Sequence, residues 1–163
     1  MKYMENPDVP DEFWMEEALR FAQRALELGE VPVGAVVVHD GRIIGQGWNR
    51  NLNDFDPTAH AEIVALRAAG AAAGNHRLGS CELFTTIEPC AMCAGALVQA
   101  RVKRLVYGAD DPKAGAVRSV MEVLNHPRLN HKMVVRSGVL ADRCAELVQS
   151  FFRLRRGEQK ESR

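Results

Sequence analysis

Two short segments, residues 60–62 and 89–93, hold side chains that together could perform hydrolytic chemistry. His60 supplies an imidazole, and Cys90 and Cys93 supply two thiolates, which is the donor set of a zinc site with three protein ligands. Such a site keeps its fourth tetrahedral position open for a water, whose pKa falls to about 7. Glu62 stands two residues after His60 and could move the protons of that water. The spacing therefore predicts one zinc ion and a hydrolytic reaction.

The geometry of helices explains how these side chains could converge on one ion. His60 and Glu62 would point in nearly opposite directions in the middle of a helix, so we expect the metal to lie off the first turn. Residues 56–58, Asp-Pro-Thr, favour a helix start just before His60. Cys90 and Cys93 are three residues apart on one face of the next predicted helix, whose N-terminus stabilises thiolates.

Other interpretations of the same residues stay open. Cys90 and Cys93 could form a redox pair, although such a pair needs no distant His-x-Glu. A structural zinc would close its shell with a fourth ligand, and four further histidines are available: His39, His76, His126 and His131. Because Glu is rarely buried without a partner, Glu62 in an apolar run favours the catalytic interpretation.

The surrounding pattern predicts a single α/β domain over residues 11–156, followed by a polar, frayed tail over 157–163. Periodicity and turn residues predict helices at 11–29, 60–73, 90–100, 119–124 and 141–156, and strands at 33–39, 42–48, 81–87, 104–109 and 132–139. Asp40-Gly41 predicts a two-residue hairpin turn. The order indicates a three-layer α/β/α fold with a mixed, mostly parallel five-stranded sheet flanked by helices.

Composition limits the classes of function. The 163 residues carry 47% apolar residues and no net charge, which is typical of a globular protein and excludes a global positive field for nucleic acid. Any RNA footprint must therefore be local. The N-terminal residues show no signal-peptide pattern and no segment has the length of a membrane span, so we expect a cytoplasmic protein with no membrane partner. Cys81 and Cys144 are then small buried hydrophobes rather than disulfide partners.

The chain resembles a known family in these motifs and in their surroundings. The pattern H-x-E with P-C-x-x-C is the signature of the zinc-dependent nucleobase deaminases, in the cytidine and deoxycytidylate deaminase superfamily. The wider sequence is similar to the bacterial tRNA-specific adenosine deaminases over residues 11–156, and the segments that carry this are 31–35 (VPVGA), 48–50 (WNR), 58–67 (TAHAEIVALR), 88–96 (EPCAMCAGA) and 151–156 (FFRLRR). The resemblance implies the cytidine-deaminase-like fold.

The resemblance also implies a reaction and the residues that take part in it. The activity would be hydrolytic deamination of adenosine to inosine at wobble position 34 of a tRNA, with release of ammonia, one Zn²⁺ per subunit and Glu62 as the proton carrier. By the same resemblance Asn49 hydrogen-bonds the flipped nucleotide and the N–H of Ala61 positions the water. Val33 and Ile87 are expected to form apolar walls of the pocket.

The resemblance further implies two partners, the tRNA anticodon loop and a second copy of the chain in a homodimer. Aromatic and basic residues are the candidates for RNA contact: Lys113, Phe151, Phe152, Arg153 and Arg156. One of the two phenylalanines is expected to face the core side of an amphipathic helix. Arg101, Lys103 and Arg104 could also touch phosphate or simply form a solvated charged run.

The loop at 110–119 departs from the family pattern, which continues Lys-Thr-Gly-Ala-Ala-Gly-Ser after the position of Pro112. This chain has Ala114 in place of Thr, and Val117 and Arg118 in place of Ala-Gly. Substrate preference could therefore differ, whereas the zinc motif is untouched. Two other functions stay open, a deaminase of a free base or nucleotide such as guanine or cytosine, and a noncatalytic zinc-stabilised RNA-binding module.

Overall fold

The computed structural model describes residues 9–162, and within them the chain forms four α-helices and five strands. The helices are α1 Asp11–Glu27, α2 Ala61–Ala73, α3 Ala91–Ala100 and α4 Ala141–Glu161. The strands are β1 Gly34–His39, β2 Arg42–Trp48, β3 Glu82–Ile87, β4 Arg104–Ala109 and β5 Val134–Arg136. Residues 1–8, where no signal-peptide pattern is seen, and Arg163 at the end of the predicted tail lie outside the described residues.

The strands form one mixed sheet in the order β2-β1-β3-β4-β5. β1 pairs antiparallel with both β2 and β3, while β3, β4 and β5 pair in parallel, so β1 alone runs against the other four. The predicted hairpin turn joins β1 to β2, and both of its residues have positive φ, 48° at Asp40 and 69° at Gly41. The mixed, mostly parallel sheet is confirmed.

Helices cover both faces of this sheet. One core lies under α2 and α3 and includes Val37, Leu83 and Leu105, and the other lies under α1 and α4 and includes Val36 and Phe84. Successive residues of β1 therefore point to opposite cores, as the pleat of a strand requires. The predicted three-layer α/β/α architecture is confirmed, and none of the helices within residues 9–162 is long and apolar enough to cross a membrane.

Close contact with β2 fixes the start of α2. A Cβ atom at Gly47 would lie 2.4 Å from the carbonyl oxygen of Ala61, and one at Gly45 would lie 2.3 Å from that of Ala65. Only glycine therefore lets the helix lie directly on the strand. This packing holds the first turn of α2, which carries the candidate site residues, at a fixed depth over the sheet.

Ion pairs hold the first turn of α1 against the far strands. Arg104 contacts Asp11 at 2.6 Å and Glu82 at 3.0 Å, and Arg136 also contacts Asp11 at 2.6 Å. Hydrogen bonds from Arg104 lead the effects that lower the pKa of Asp11. Arg104 is thus engaged within the fold rather than free for phosphate.

Three predictions about secondary structure were wrong. Residues 119–124 do not form a helix, and only a 3₁₀ turn is present at Val123–Asn125. The last strand is shorter than 132–139, since only Val134–Arg136 pairs with β4. Residues 157–161 continue α4 instead of fraying, because the Glu, Gln and Lys that follow Gly157 are good helix formers.

Candidate active site

Two helix starts bring the predicted metal ligands together. His60 is the residue that caps the N-terminus of α2, and Cys90 holds the same position at α3. The Nδ1 atom of His60 lies 3.5 Å from the Sγ of Cys90 and 3.5 Å from the Sγ of Cys93. All three ligand atoms lie within 4.8 Å of one another. The trio predicted from the sequence is therefore a real cluster in the fold.

The spacing of this cluster suits a tetrahedral metal ion. Zinc bonds of about 2.05 Å to nitrogen and about 2.3 Å to sulfur, at a tetrahedral angle, place the two donor atoms about 3.6 Å apart. The observed nitrogen–sulfur distances of 3.5 Å agree with this value. Hydrogen bonds with Cys93 and His60 lower the pKa of Cys90 to about 3, whereas the hydrogen bond with Cys90 and burial raise the pKa of Cys93. The two cysteines thus hold one thiolate between them, the form that binds metals, and a bound metal would displace the second proton.

Glu62 lies in the first turn of α2 beside the cluster and is only 4% exposed. Its Oε2 atom is 3.5 Å from the Sγ of Cys93, and its Oε1 accepts a long hydrogen bond of 3.3 Å from the hydroxyl of Thr85. Burial raises the pKa of Glu62. The carboxyl group is thus poorly solvated and weakly hydrogen-bonded, an arrangement suited to exchanging protons.

Asn49 and Ala61 contact each other directly. The N–H of Ala61 donates to the Oδ1 of Asn49 at 2.9 Å, and the N–H of Asn49 donates to the carbonyl oxygen of Val33 at 3.2 Å. These bonds link the wall residue Val33 to the helix that carries Glu62. The N–H of Ala61 is already hydrogen-bonded in the structure, so a water would have to share it with Asn49.

A cavity of about 370 Å³ has both predicted wall residues, Val33 and Ile87, in its lining. Residues 110–113 and the α4 side chain Phe152 also line it. None of the three metal-ligand candidates, nor Glu62, lines this cavity. The metal-ligand candidates are connected to this cavity through the chain. Ile87 is three residues before Cys90, and Val33 accepts a hydrogen bond from Asn49, which contacts the start of α2.

The five predicted RNA-contact residues, Lys113, Phe151, Phe152, Arg153 and Arg156, all line a second cavity, of about 830 Å³. The two phenylalanines divide as expected, since one is 7% exposed and the other, Phe152, is 46% exposed. Lys113 and Phe152 line both cavities, so the two open onto neighbouring surface. Arg153 pairs with Glu146 at 2.7 Å, while Arg156 has no partner among residues 9–162.

Sequence reasoning missed Glu88, which organises the loop at 110–119. It is 2% exposed, and its carboxylate accepts hydrogen bonds from four backbone N–H groups and one hydroxyl, donated by Asp111, Val117, Arg118 and Ser119. Burial alone would raise the pKa of Glu88, but these hydrogen bonds lower it to about 2. A Cβ atom at Gly115 would lie 2.4 Å from this carboxylate, so the loop closes tightly around it.

Glu30 plays a similar part for the loop at 49–58 and was also missed. It is 1% exposed, and its Oε1 atom accepts hydrogen bonds from the N–H groups of Leu52 at 2.5 Å and Asn53 at 3.0 Å. Both glutamates sit in otherwise apolar segments, at 30–33 and 87–91. The argument that a glutamate in an apolar segment needs a partner singled out Glu62, and it would have singled out Glu30 and Glu88 as well.

Comparison with known proteins identifies the family of this chain. A family model described as MafB19-like deaminase matches residues 9–156. The tRNA-specific adenosine deaminase of Haemophilus influenzae is 50% identical over 151 residues, which cover 92% of this chain and 87% of that protein. The tRNA-specific adenosine deaminase of Bacillus subtilis is 43% identical over 153 residues, covering 94% of this chain and 95% of that protein.

Solved structures give the same result. A structure from a study of A-to-I editing by tRNA:A34 deaminases at the wobble position of transfer RNA is 47% identical, with a TM-score of 0.80, and covers 83% of this chain and 98% of that one. A guanine deaminase from Nitrosomonas europaea is 28% identical, with a TM-score of 0.75, and covers 88% of this chain and 85% of that one. The chain therefore belongs to the MafB19-like deaminase family and, within it, to the tRNA-specific adenosine deaminases.

Proposed function

We propose that this protein deaminates adenosine to inosine at the wobble position of a tRNA, with one Zn²⁺ bound by His60, Cys90 and Cys93. The observation that carries the proposal is the convergence of these three side chains at 3.5 Å, with Glu62 buried beside them. The relatives named tRNA-specific adenosine deaminase, 43–50% identical over most of the chain, support the choice of substrate.

In the reaction, water adds to C6 of adenine, the bond from C6 to the amino nitrogen breaks, and ammonia leaves. When bound, a zinc ion supplies the Lewis acidity that makes water nucleophilic at neutral pH. Glu62 accepts a proton from the attacking water and delivers protons to N1 of the ring and to the departing amine. The long hydrogen bond from Thr85, at 3.3 Å, orients the Glu62 carboxyl group without holding it firmly in one protonation state.

The remaining site residues bind and place the nucleotide. Asn49 presents its amide group at the start of α2, where it can hydrogen-bond the flipped base while its Oδ1 holds the N–H of Ala61. Val33 and Ile87 provide apolar surface for the base in the smaller cavity. Each of these roles is part of the proposal.

The larger cavity is proposed to hold the phosphate backbone of the anticodon loop. Phe152 offers exposed ring surface for stacking, and Lys113 and Arg156 offer positive charge without a partner in the described part of the chain. Arg153 can join them by releasing its exposed pair with Glu146, because such a surface pair contributes only about 0–1 kcal/mol.

A homodimer in the cytoplasm is also proposed. The resemblance implies the dimer, and exposed apolar side chains on the loop before α2 support it, since Phe55 is 94% exposed and Leu52 is 59% exposed. A tRNA substrate and the absence of disulfides among the four cysteines, all of which lie in the described residues, agree with the cytoplasm.

The test is to incubate the purified, zinc-loaded protein separately with bulk tRNA, guanine, adenine and cytosine. We expect inosine in the hydrolysed tRNA, matched by ammonia, and no ammonia from the free bases. Ammonia from guanine alone would overturn the proposal in favour of the activity of the 28% identical relative. Binding of tRNA without any product would instead support the noncatalytic RNA-binding module.

A further inference from the structure

Both acidic side chains of the loop at 110–119 have hydrogen-bond partners within the loop. The guanidinium of Arg118 makes two hydrogen bonds to the carboxylate of Asp110, Nε to Oδ1 at 3.2 Å and Nη2 to Oδ2 at 2.9 Å. The Oδ1 of Asp111 accepts the backbone N–H groups of Lys113 at 3.0 Å and Ala114 at 3.2 Å. Asp110 is therefore neutralised by a cationic side chain, whereas Asp111 only accepts hydrogen bonds from the backbone.

Lys113 is the cation that this arrangement leaves available. Its ammonium has no hydrogen-bond or ion-pair partner among residues 9–162, and its side chain lines both cavities. Asp110 and Asp111 line the smaller cavity beside it, while Arg118 lines neither. Arg118 therefore affects the smaller cavity only through its contact with Asp110, which lines that cavity.

The energies show that Arg118 is not needed for the shape of the loop. The backbone is fixed by Glu88, which takes N–H groups at both ends of the loop, and a hydrogen bond to a charged group contributes about 1.5–3 kcal/mol. The Asp110–Arg118 pair is half exposed, with 47% and 56% of the two side chains accessible, and exposed pairs contribute at most about 1 kcal/mol. The effect of the pair must lie in the local charge.

We propose that Arg118 is a positioning residue for the RNA substrate. It neutralises Asp110 in the lining of the smaller cavity, so that a polyanion can approach Lys113. The inference rests on the proposed function and extends it to a position at which the chain departs from its family pattern. Without Arg118, the carboxylate of Asp110 would lose its cationic partner and would repel the phosphates that Lys113 attracts. Because both side chains of the pair are half exposed, the repulsion between Asp110 and a phosphate is partly screened, so it changes the affinity by only a few-fold and weakens with added salt.

The experiment compares the Arg118→Gln, Asp110→Asn and double variants with the wild type, using a tRNA anticodon stem-loop with adenosine at the wobble position. We expect Arg118→Gln to raise KM about 3- to 10-fold with kcat unchanged, and the increase to shrink with added salt. The double variant has the same net charge in the loop as the wild type, so its KM should return to within about 2-fold of the wild type. Arg20→Gln is the matched control, because Arg20 is an exposed arginine paired with Glu17 that lines neither cavity.

Each outcome has a defined meaning. An unchanged KM in Arg118→Gln, or the same increase in Arg20→Gln, would overturn the inference and leave the proposed function intact. A KM that stays high in the double variant would also overturn it, because it would show that the guanidinium contacts RNA itself. No deamination by the wild type would overturn the proposed function and this inference with it. Folding is checked by urea unfolding, in which all four variants should match the wild type to within about 1 kcal/mol.

Discussion

Two buried glutamates near the candidate metal ligands, Glu62 and Glu88, differ sharply in how their carboxyl groups are hydrogen-bonded. Glu62 is 4% exposed and has one long bond from Thr85 and one contact with a thiol. Glu88 is 2% exposed and accepts hydrogen bonds from five donors. The pKa of Glu62 is accordingly raised by burial, while the pKa of Glu88 falls to about 2.

The difference separates chemistry from structure. A carboxylate with all its acceptor positions filled by backbone N–H groups has a fixed charge and a fixed place, so it can hold a loop but cannot carry protons. In a buried carboxyl group with few donors the ionised form is disfavoured, so its pKa rises above the ordinary value and the group can hold and release a proton during the reaction. Burial alone therefore does not identify a catalytic glutamate in this fold. Glu30 and Glu88 hold backbone N–H groups of two loops, whereas Glu62 contacts the candidate metal ligand Cys93.

The largest effect should follow from Glu62→Gln. Removal of the proton carrier should lower kcat by about 10²–10⁴-fold, the usual contribution of general acid–base catalysis. The free energy of unfolding should not fall, because the substitution removes a buried charge with few hydrogen bonds. Steady-state inosine formation and urea unfolding measure the two quantities. Loss of bound zinc from this variant would assign Glu62 to the metal instead.

The reverse result is expected for Glu88→Gln. The new amide group would turn two N–H donors toward backbone N–H groups, so the free energy of unfolding should fall by about 2–4 kcal/mol. Urea denaturation measures the change, and Glu122→Gln is the control, because Glu122 is an exposed glutamate beyond the same loop. An equal loss in both variants would mean that the five donors contribute nothing specific.

A smaller effect should come from Gly115→Ala, which crowds Glu88 without altering its charge. The added Cβ would lie 2.4 Å from the carboxylate, so we expect a loss of about 1–3 kcal/mol in the free energy of unfolding. Gly157→Ala, with nothing within 4 Å of its Cβ, should instead stabilise α4 by about 0.5–1 kcal/mol. Thermal unfolding of the two variants compares them directly, and similar shifts would show that the loop has room at Gly115.

The smallest effect concerns Asp11, a carboxylate whose donors are arginine side chains. Its pKa is lowered in the folded protein from an ordinary value near 3.8, so folding favours the ionised form. The stabilisation is therefore complete above the unfolded pKa and is lost as the pH falls through the folded one. Asp11→Asn should lower the free energy of unfolding by about 1–2 kcal/mol at pH 7.

The pH series distinguishes this effect from a general loss of stability. The difference between Asp11→Asn and the wild type should diminish between about pH 5 and pH 2. Glu12→Gln is the neighbouring control, since Glu12 makes only a 3.4 Å contact with Arg136 and is 48% exposed. A difference that stays constant down to pH 2 would contradict the role of the ion pairs.

The metal-ligand candidates and Glu62 were predictable because residues that are close together in the sequence identify them. His60 and Glu62, and likewise Cys90 and Cys93, are separated by two or three residues at helix starts, so type and spacing indicate the site. The hairpin at Asp40-Gly41 is predictable for the same reason. These signals need no knowledge of how the helices pack.

The loop at 110–119 was not predictable in this way, because its partner is distant in sequence. Glu88 lies 23 to 31 residues before its donors. It takes the N–H groups of Arg118 and Ser119, while those of Val120 and Met121 both donate to the carbonyl oxygen of Gly115, so the backbone turns back on itself in place of the helix predicted over 119–124. The two cavities likewise combine residues of separate elements, which only the packing of α4 and the loop brings together.

The most direct test of the account is the single-turnover rate of inosine formation on an anticodon stem-loop by Glu62→Gln and Glu88→Gln, each zinc-loaded and kept well below its unfolding temperature. The predicted result is a rate lowered by at least about 100-fold in Glu62→Gln and by less than about 10-fold in Glu88→Gln. Equal losses in the two variants, or the larger loss in Glu88→Gln, would contradict the division between a proton-carrying and a structural glutamate.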